Sequence, residues 1–365
     1  MENKDRLQQL RDAMQREGVD LVALGPGAHL AWLTGVRPHA DERPLLFCVS
    51  AGYAGFLMPV LEQDSARQQT KDLPFHTWSD DEGPLAALDQ CLNAAGATKA
   101  ASIVLDETMR ADFAALVQDA LPDAARQFTA STIGALRMRK DDNEFQVLKK
   151  NALIADTAMQ AAWSKMRIGM TENEVAAVVR DAFKAQQTAP LFHIIGTGKN
   201  GAFPHHHTGD TALKLGDIVV MDIGGAKDGY SSDMTRMASM GPPPDDYLQV
   251  HQIVDAAVKA AMQAARPGVK AHVVDDAARQ VIIDAGYGEL FVHRTGHGMG
   301  VEIHEPPYIT ASSQIVLDEG MVFSIEPGIY QNNKYGLRLE EIVYLRSDGP
   351  EILSDLPRDL HVIDV

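Results

Sequence analysis

The sequence predicts an α+β protein of two domains, on three observations. Residues 1–130 alternate short apolar runs with helical spacings, the pattern of a self-sufficient α/β unit. Residues 131–365 carry a weak internal repeat at a constant offset of 99 positions, and each copy is followed by a β-hairpin. The 365 residues, 45% hydrophobic and 23% charged, supply core for roughly two domains and exclude a largely disordered chain.

Each element follows in order. Leu7, Leu10, Met14 and Val19 recur at helical spacing, and Gly18 ends that helix. Residues 20–24 and 44–49 read as buried strands, and 101–105 as another. Helix 110–120 comes next and is stopped by Pro122. The boundary falls between residues 125 and 137, at small, turn-like Ala130-Ser-Thr-Ile-Gly134. A charged helix runs from about Lys140 to Trp163, with Asp141 and Asp142 at the end where the helix dipole favours anions. In the two repeat copies, Arg167-Ile-Gly169 and Arg266-Pro-Gly268 each end one helix and precede a second. Thr171-Glu-Asn-Glu174 is a capping box.

Composition narrows the function. With 33 Lys+Arg against 50 Asp+Glu the net charge is −17, which argues against nucleic acid and against an anionic membrane surface. Cys48 and Cys91 are the only cysteines, so a disulfide framework and a cysteine-based zinc site are both excluded. The charged N-terminus lacks the apolar stretch of a secretory signal, and no apolar run approaches a membrane span. A cytoplasmic setting is the expectation.

The two hairpins carry paired acids. In the first, strands 216–224 and 230–236 flank Lys227-Asp-Gly229, and a turn centred between 227 and 228 sets Asp222 opposite Asp233. In the second, strands 321–330 and 336–343 flank Asn332-Asn333, and Glu326 faces Glu340. Opposed like charges destabilise a sheet, and burying them unpaired costs more. Bound divalent cations answer both pairs; exposed hairpin decoration answers them equally well from spacing alone. Histidine tips the balance. Nine of the 13 histidines lie between residues 193 and 304, and His297 stands among Gly296, Gly298 and Gly300, which leave its imidazole uncrowded. A histidine among carboxylates is a common transition-metal ligand. The His-Glu-x-x-His pattern of zincins is absent.

In chain order, Asp222, Asp233, His297, Glu326 and Glu340 stand in the contexts MDIGG, SSDMTR, GHGMGVEIHE, IEPGIY and RLEE. This set resembles the pita-bread metallopeptidases, specifically the Xaa-Pro dipeptidase (prolidase) and aminopeptidase P group, over nearly the whole chain. The resemblance implies a pita-bread catalytic domain with a pseudo-two-fold repeat at 131–365. It also implies a creatinase/prolidase-like N-terminal domain at 1–130, where Trp32-Leu-Thr-Gly35 matches. The implied activity is metal-dependent hydrolysis of the Xaa-Pro bond at the N-terminus of dipeptides or short peptides. Two divalent ions per chain are implied, manganese first, with cobalt or zinc as alternatives. Asp233 and Glu340 would bridge them; Asp222 would complete one site, and His297 with Glu326 the other. Glu326 would also shuttle the proton. His205 and His304 would donate to the developing oxyanion, His293 matches a further pocket histidine, and Arg338 would orient the carboxylates beside it. His206 and His207 read as polar loop. Tyr308 stands where some prolidases carry an arginine suited to a dipeptide's carboxylate. A longer peptide, a small non-peptide amide as in creatinase-like relatives, or a catalytically silent binding module therefore stay open. The resemblance further implies a homodimer.

Overall fold

Gly18, at φ +65°, closes the first helix, α1 (Asn3–Glu17), and turns the chain into a sheet strand. The computed structural model describes residues 3–70 and 72–364. The chain divides into two units, up to Arg137 and from Met138.

The first unit holds strands β1 (Leu21–Leu24), β2 (Leu46–Val49), β3 (Ala54–Pro59), β4 (Phe75–Trp78), β5 (Ser102–Leu105) and β6 (Ala125–Gln127). They form a mixed sheet in the order β4-β3-β2-β1-β5-β6. Helices α2 (Ala28–Thr34), α3 (Gln63–Gln69), α4 (Leu85–Ala94) and α5 (Ala111–Ala120) complete it. Leu88, Leu92, Phe113 and Val117 of α4 and α5 bury against Leu21, Leu46 and Ile103. Residues 54–59 and 75–78 were not expected as strands; each is short, and β4 has only one fully buried residue.

A short helix, α6 (Ile133–Met138), leads to the second unit and its helix pairs α7 (Asp142–Lys165) with α8 (Glu172–Ala185), and α9 (Tyr247–Ala264) with α10 (Ala271–Asp284). Capping boxes on Asp141–Glu144 and Thr171–Glu174 start α7 and α8. The repeat is present in the backbone. The ends Lys165 and Ala264, the starts Glu172 and Ala271, and the ends Ala185 and Asp284 all keep the offset of 99. Gly169 and Gly268 make the same left-handed turn, at φ +89° and +87°.

The first half adds β7 (Ala189–Thr197), β8 (Ile218–Lys227) and β9 (Tyr230–Met240). The second adds β10 (Gly296–Gly298), β11 (Glu305–Ile309), β12 (Val322–Ile325), β13 (Gly328–Gln331), β14 (Tyr335–Arg338), β15 (Glu341–Arg346) and β16 (Gly349–Ile352), before a last strand, β17 (His361–Ile363). One sheet runs β17-β9-β8-β7 and the other β11-β10-β12-β15-β16, with β13-β14 as a separate ribbon. Alternation sorts the faces. Val219, Met221, Ile223 and Met234 pack against Met159, Val179 and Phe183 of α7 and α8. Asp222, Asp233 and Thr235 therefore point the other way.

The first hairpin corrects the expected register. Asp222 pairs with Thr235, and Asp233 with Gly224. The turn is the two-residue Asp228-Gly229, both at positive φ (+52° and +83°), as a primed hairpin turn requires. Moving the turn centre by one position moves each partner by two, and an even slip keeps the face. Asp222 and Asp233 are thus diagonal neighbours on one surface. In the second hairpin Ile325 pairs with Glu341 and Gly328 with Arg338, so Glu326 and Glu340 oppose one another in the expected register, at a gap in the ladder.

Candidate active site

The two hairpins and β10 converge on one point. Ligand atoms of Asp222, Asp233 and Glu340 lie within 4.8 Å of one another, as do those of His297, Glu326 and Glu340, and of Asp233, His297 and His304. His297 Nε2 stands 3.2 Å from Glu326 Oε1 and 3.6 Å from Asp233 Oδ2. Its Nδ1 is 3.1 Å from the Gly298 carbonyl, which calls for an N–H there and leaves the Nε2 lone pair facing anionic oxygens. Gly296 and Gly298 permit this approach, because a Cβ at either would strike the backbone of Ser324 or of Glu305 and Pro306.

The electrostatics mark a site built for cations. Burial, followed by the charges of Glu340, Asp222 and Glu326, pushes the Asp233 carboxyl well above the usual range. Burial and Glu326 do the same to Glu340. Burial alone would raise Glu326, but the neighbouring His297, His293 and Arg338 outweigh that and hold it at about 2. Asp222 Oδ1 and Glu340 Oε1 are buried with no hydrogen-bond partner among the described residues. Unpaired buried carboxylate oxygens, set beside an imidazole lone pair, fit divalent metal; the donor set of hard oxygens and one nitrogen suits a first-row ion.

The supporting shell is hydrogen-bonded throughout. Arg338 Nη2 donates to Asp222 Oδ2 at 2.6 Å, its Nε to Thr235 Oγ1 at 3.0 Å, and its Nη1 to the Tyr330 hydroxyl at 2.8 Å. Thr235 in turn donates to Glu340 Oε2 at 2.9 Å, and Ser324 to Glu326 Oε1 at 3.0 Å. Arg338 is buried and paired with the Asp222 carboxylate, not a surface charge. Tyr330 also lies 2.9 Å from His293 Nε2, while His293 Nδ1 is 2.7 Å from the Arg294 carbonyl. Burial lowers both His293 and His304 to about 4, so both are neutral at neutral pH.

The carboxylates, His293, His297, His304 and Arg338 line a cavity of about 650 Å³ together with His205, Pro204, Phe192, Ile194, Ile303 and Arg294. All nine residues expected from the sequence, Asp222, Asp233, His297, Glu326, Glu340, His205, His293, His304 and Arg338, border it. Thr235, Tyr330 and Arg294 are among the contributors that were not expected. Thr235 and Tyr330 lie within the quoted SSDMTR and IEPGIY runs, and their hydroxyls were the available signal. Arg294 reaches the cavity and stacks over the Tyr308 ring at 4.7 Å. A guanidinium is thus present beside Tyr308, supplied from three residues before His297 instead of from the strand that carries Tyr308.

Carboxylates and an imidazole, converging from two related halves on unpaired oxygens, define a metal-dependent hydrolase of the pita-bread fold. Comparison with known proteins gives the family. Residues 146–347 match metallopeptidase family M24, and residues 6–140 match the Creatinase/Prolidase N-terminal domain. A probable dipeptidase PepE of Mycobacterium tuberculosis is 38% identical over 95% of this chain and 93% of its own. An Xaa-Pro dipeptidase of Pyrococcus furiosus is 32% identical over 98% and 99%. The crystal structure of dipeptidase PepE from Mycobacterium ulcerans superposes with a TM-score of 0.94 at 36% identity, covering 100% of this chain and 98% of that one. The chain belongs to metallopeptidase family M24.

Proposed function

We propose that the chain is an Xaa-Pro dipeptidase working with two divalent ions, manganese first among the candidates. The observation that carries this reading is the set of five ligand side chains around unpaired carboxylate oxygens, with Arg294 in the same cavity. Asp222, Asp233 and Glu340 would hold one ion; His297 and Glu326 would hold the other and share Asp233 and Glu340 with the first. When bound, the ions supply a water of lowered pKa and polarise the scissile carbonyl.

The chain's own residues supply the rest. Glu326 stays ionised and accepts the proton of the attacking water, then delivers it to the proline nitrogen. His205 and His304 offer N–H groups to the carbonyl oxygen as charge grows on it. Phe192, Ile194 and Ile303 give an apolar wall for the first side chain. Arg294, braced on Tyr308, meets the free carboxylate of the proline through charge-assisted hydrogen bonds. A tertiary Xaa-Pro amide has no N–H for backbone recognition, and this site asks for none. The cavity's volume exceeds what a dipeptide fills, so an aminopeptidase P activity on longer peptides is the second reading. The domain boundary at residue 130 and a cytoplasmic location, expected from the sequence, and a homodimer, implied by the family resemblance, belong to the same proposal.

The test is an assay of manganese-loaded protein on Ala-Pro, Ala-Pro-Ala and Ala-Ala, with metal analysis and sedimentation on the same sample. Cleavage of Ala-Pro alone supports the dipeptidase, and cleavage of both proline substrates supports the aminopeptidase. No metal-dependent turnover of either would overturn the reading.

A further inference from the structure

Helices α8 and α10 are equivalent in the repeat, and each buries one carboxylate outside the metal cluster. The side chain of Glu172, in the first turn of α8, is 0% exposed and accepts four hydrogen bonds. All come from the segment that carries His205. Thr197 N and Asn200 Nδ2 reach Oε1 at 2.9 Å each; His206 Nε2 and Gly209 N reach Oε2 at 2.8 and 2.9 Å. Asp275, in α10, is also fully buried, and its Oδ1 accepts from Thr295 N at 3.1 Å and Oγ1 at 2.7 Å. Arg279, paired with Asp275 at 3.0 Å, donates to the His293 carbonyl at 2.9 Å.

Neither carboxylate borders the cavity. Each holds an irregular segment whose histidine does. A buried carboxylate is costly unless its oxygens are satisfied, and here every donor comes from the segment or from the helix that grips it. His205 makes the point most clearly. Its ring forms no hydrogen bond among the described residues, so the placement of its backbone is what brings it to the cavity. That backbone is held on one side through His206 by Glu172, and on the other by Arg338 Nη1 on the Pro204 carbonyl at 3.4 Å. His206 is therefore an anchored residue, not a polar loop position.

We infer that Glu172 with His206, and Asp275 with Arg279, are positioning residues: one grip in each half of the repeat, presenting His205 and His293 to the substrate. The inference rests on the proposed reaction for its kinetic consequence and on geometry alone for its structural one.

His206 is part-exposed and is the safer residue to change. With metal-loaded protein and Ala-Pro, His206→Ala is expected to lower kcat about tenfold, and at most by the ~10²-fold that a misplacement of 1 Å costs. KM and metal content should stay within about twofold. His206→Gln, whose amide N–H reaches the same carboxylate, should recover most of the rate. In a His205→Ala background, His206→Ala should cost nothing further. Additive losses in the double variant, or full activity of His206→Ala, would overturn the inference. Arg279→Gln against His293→Ala is the matching cycle for the second half. A readout free of substrate accompanies these. In zinc-loaded protein labelled at histidine, the ring signal of His205 should shift and broaden in His206→Ala. An unchanged signal overturns the inference even if Ala-Pro is not cut, whereas a shifted signal in a protein inert to Ala-Pro faults the proposed activity and leaves the grip standing.

Discussion

In the first half of the M24 unit, Asp222 and Asp233 grow from an unbroken ladder of ten paired rows; in the second, Glu326 and Glu340 sit where the ladder is interrupted between β12 and β13 and between β14 and β15. The side chains differ to match. An aspartate on a continuous strand has its Cβ direction fixed by the pleat and a short side chain beyond it, whereas a glutamate at a break has a further rotatable bond to restrain. Hydroxyls supply that restraint: Ser324 pins Glu326, and Thr235, from the first hairpin, pins Glu340. The first pair thus rests on backbone regularity with one guanidinium bond to Asp222, and the second on hydroxyl hydrogen bonds across a break in the ladder. Each construction leans on the other, the second through Thr235 and the first through Arg338, which donates to Asp222.

The sharpest way to break this comparison is at the carboxylates shared between ligand groups. Asp233→Asn and Glu340→Gln should each lower kcat/KM for Ala-Pro by about 10³-fold or more, since metal activation is worth several kcal/mol. Metal content should fall to one ion per chain or fewer. Asp222→Asn should lose one ion and keep the other. Elemental analysis beside the assay checks this, and equal retention in all three variants would dissolve the distinction. Glu326→Gln comes next. It should cost about 10²–10⁴-fold in kcat through the lost proton acceptor, with less loss of metal.

On the proposed reading the halves also present different groups to the substrate. The first contributes the apolar Phe192 and Ile194, the second the guanidinium of Arg294. Arg294→Ala should raise KM for Ala-Pro by about ten- to a hundredfold, as for a lost hydrogen bond to charge. It should leave Ala-Pro amide nearly unaffected. Equal effects on acid and amide would remove Arg294 from carboxylate recognition.

Within the second hairpin the two glutamates titrate in opposite directions, which makes the metal-free protein informative. Asp233 and Glu340 have carboxyls raised above 3.8 and 4.5. Stability from such groups is fully present below those unfolded values and is lost as pH rises through the raised folded ones. Glu326, lowered from 4.5 to about 2, contributes stability that is present above 4.5 and lost as pH falls towards 2. Chelated protein should therefore have a lower urea midpoint at pH 8 than at pH 5. Metal-loaded protein should show little of that fall, because ions bound to the native state stabilise it by mass action. A chelated protein equally stable at both pH values would contradict the assignment.

Much of this was legible in the residues. The strands around Asp222 and Glu326 announce themselves as apolar runs, and acids on such runs are conspicuous because burying them unpaired is costly. The helix pairs were readable because Gly169 and Gly268 must sit at positive φ. What the residues did not disclose is non-local. Nothing near Arg294 in sequence says that it stacks on Tyr308, and nothing near His206 says that Glu172 waits beneath it. Strand β4, short and half-exposed, has too little periodicity to declare itself.

The smallest expected effect separates the two turns. The first hairpin turns on Asp228-Gly229; the second carries Asn333 at φ +61°, a conformation asparagine tolerates. Gly229→Ala should cost about 1 kcal/mol, because at φ +83° a Cβ is strained. That corresponds to a fall of about 2–4 °C in Tm. Asn333→Gly should change stability by only a few tenths of a kcal/mol. The sign at position 229 is what matters. Were the turn centred between 227 and 228, with Asp222 directly facing Asp233, Gly229 would lie at the start of a strand. There alanine is neutral or stabilising, since an extended glycine gives up more backbone freedom than alanine does. A measured loss at 229 therefore supports the diagonal pairing of Asp222 and Asp233, and a gain would restore the direct one.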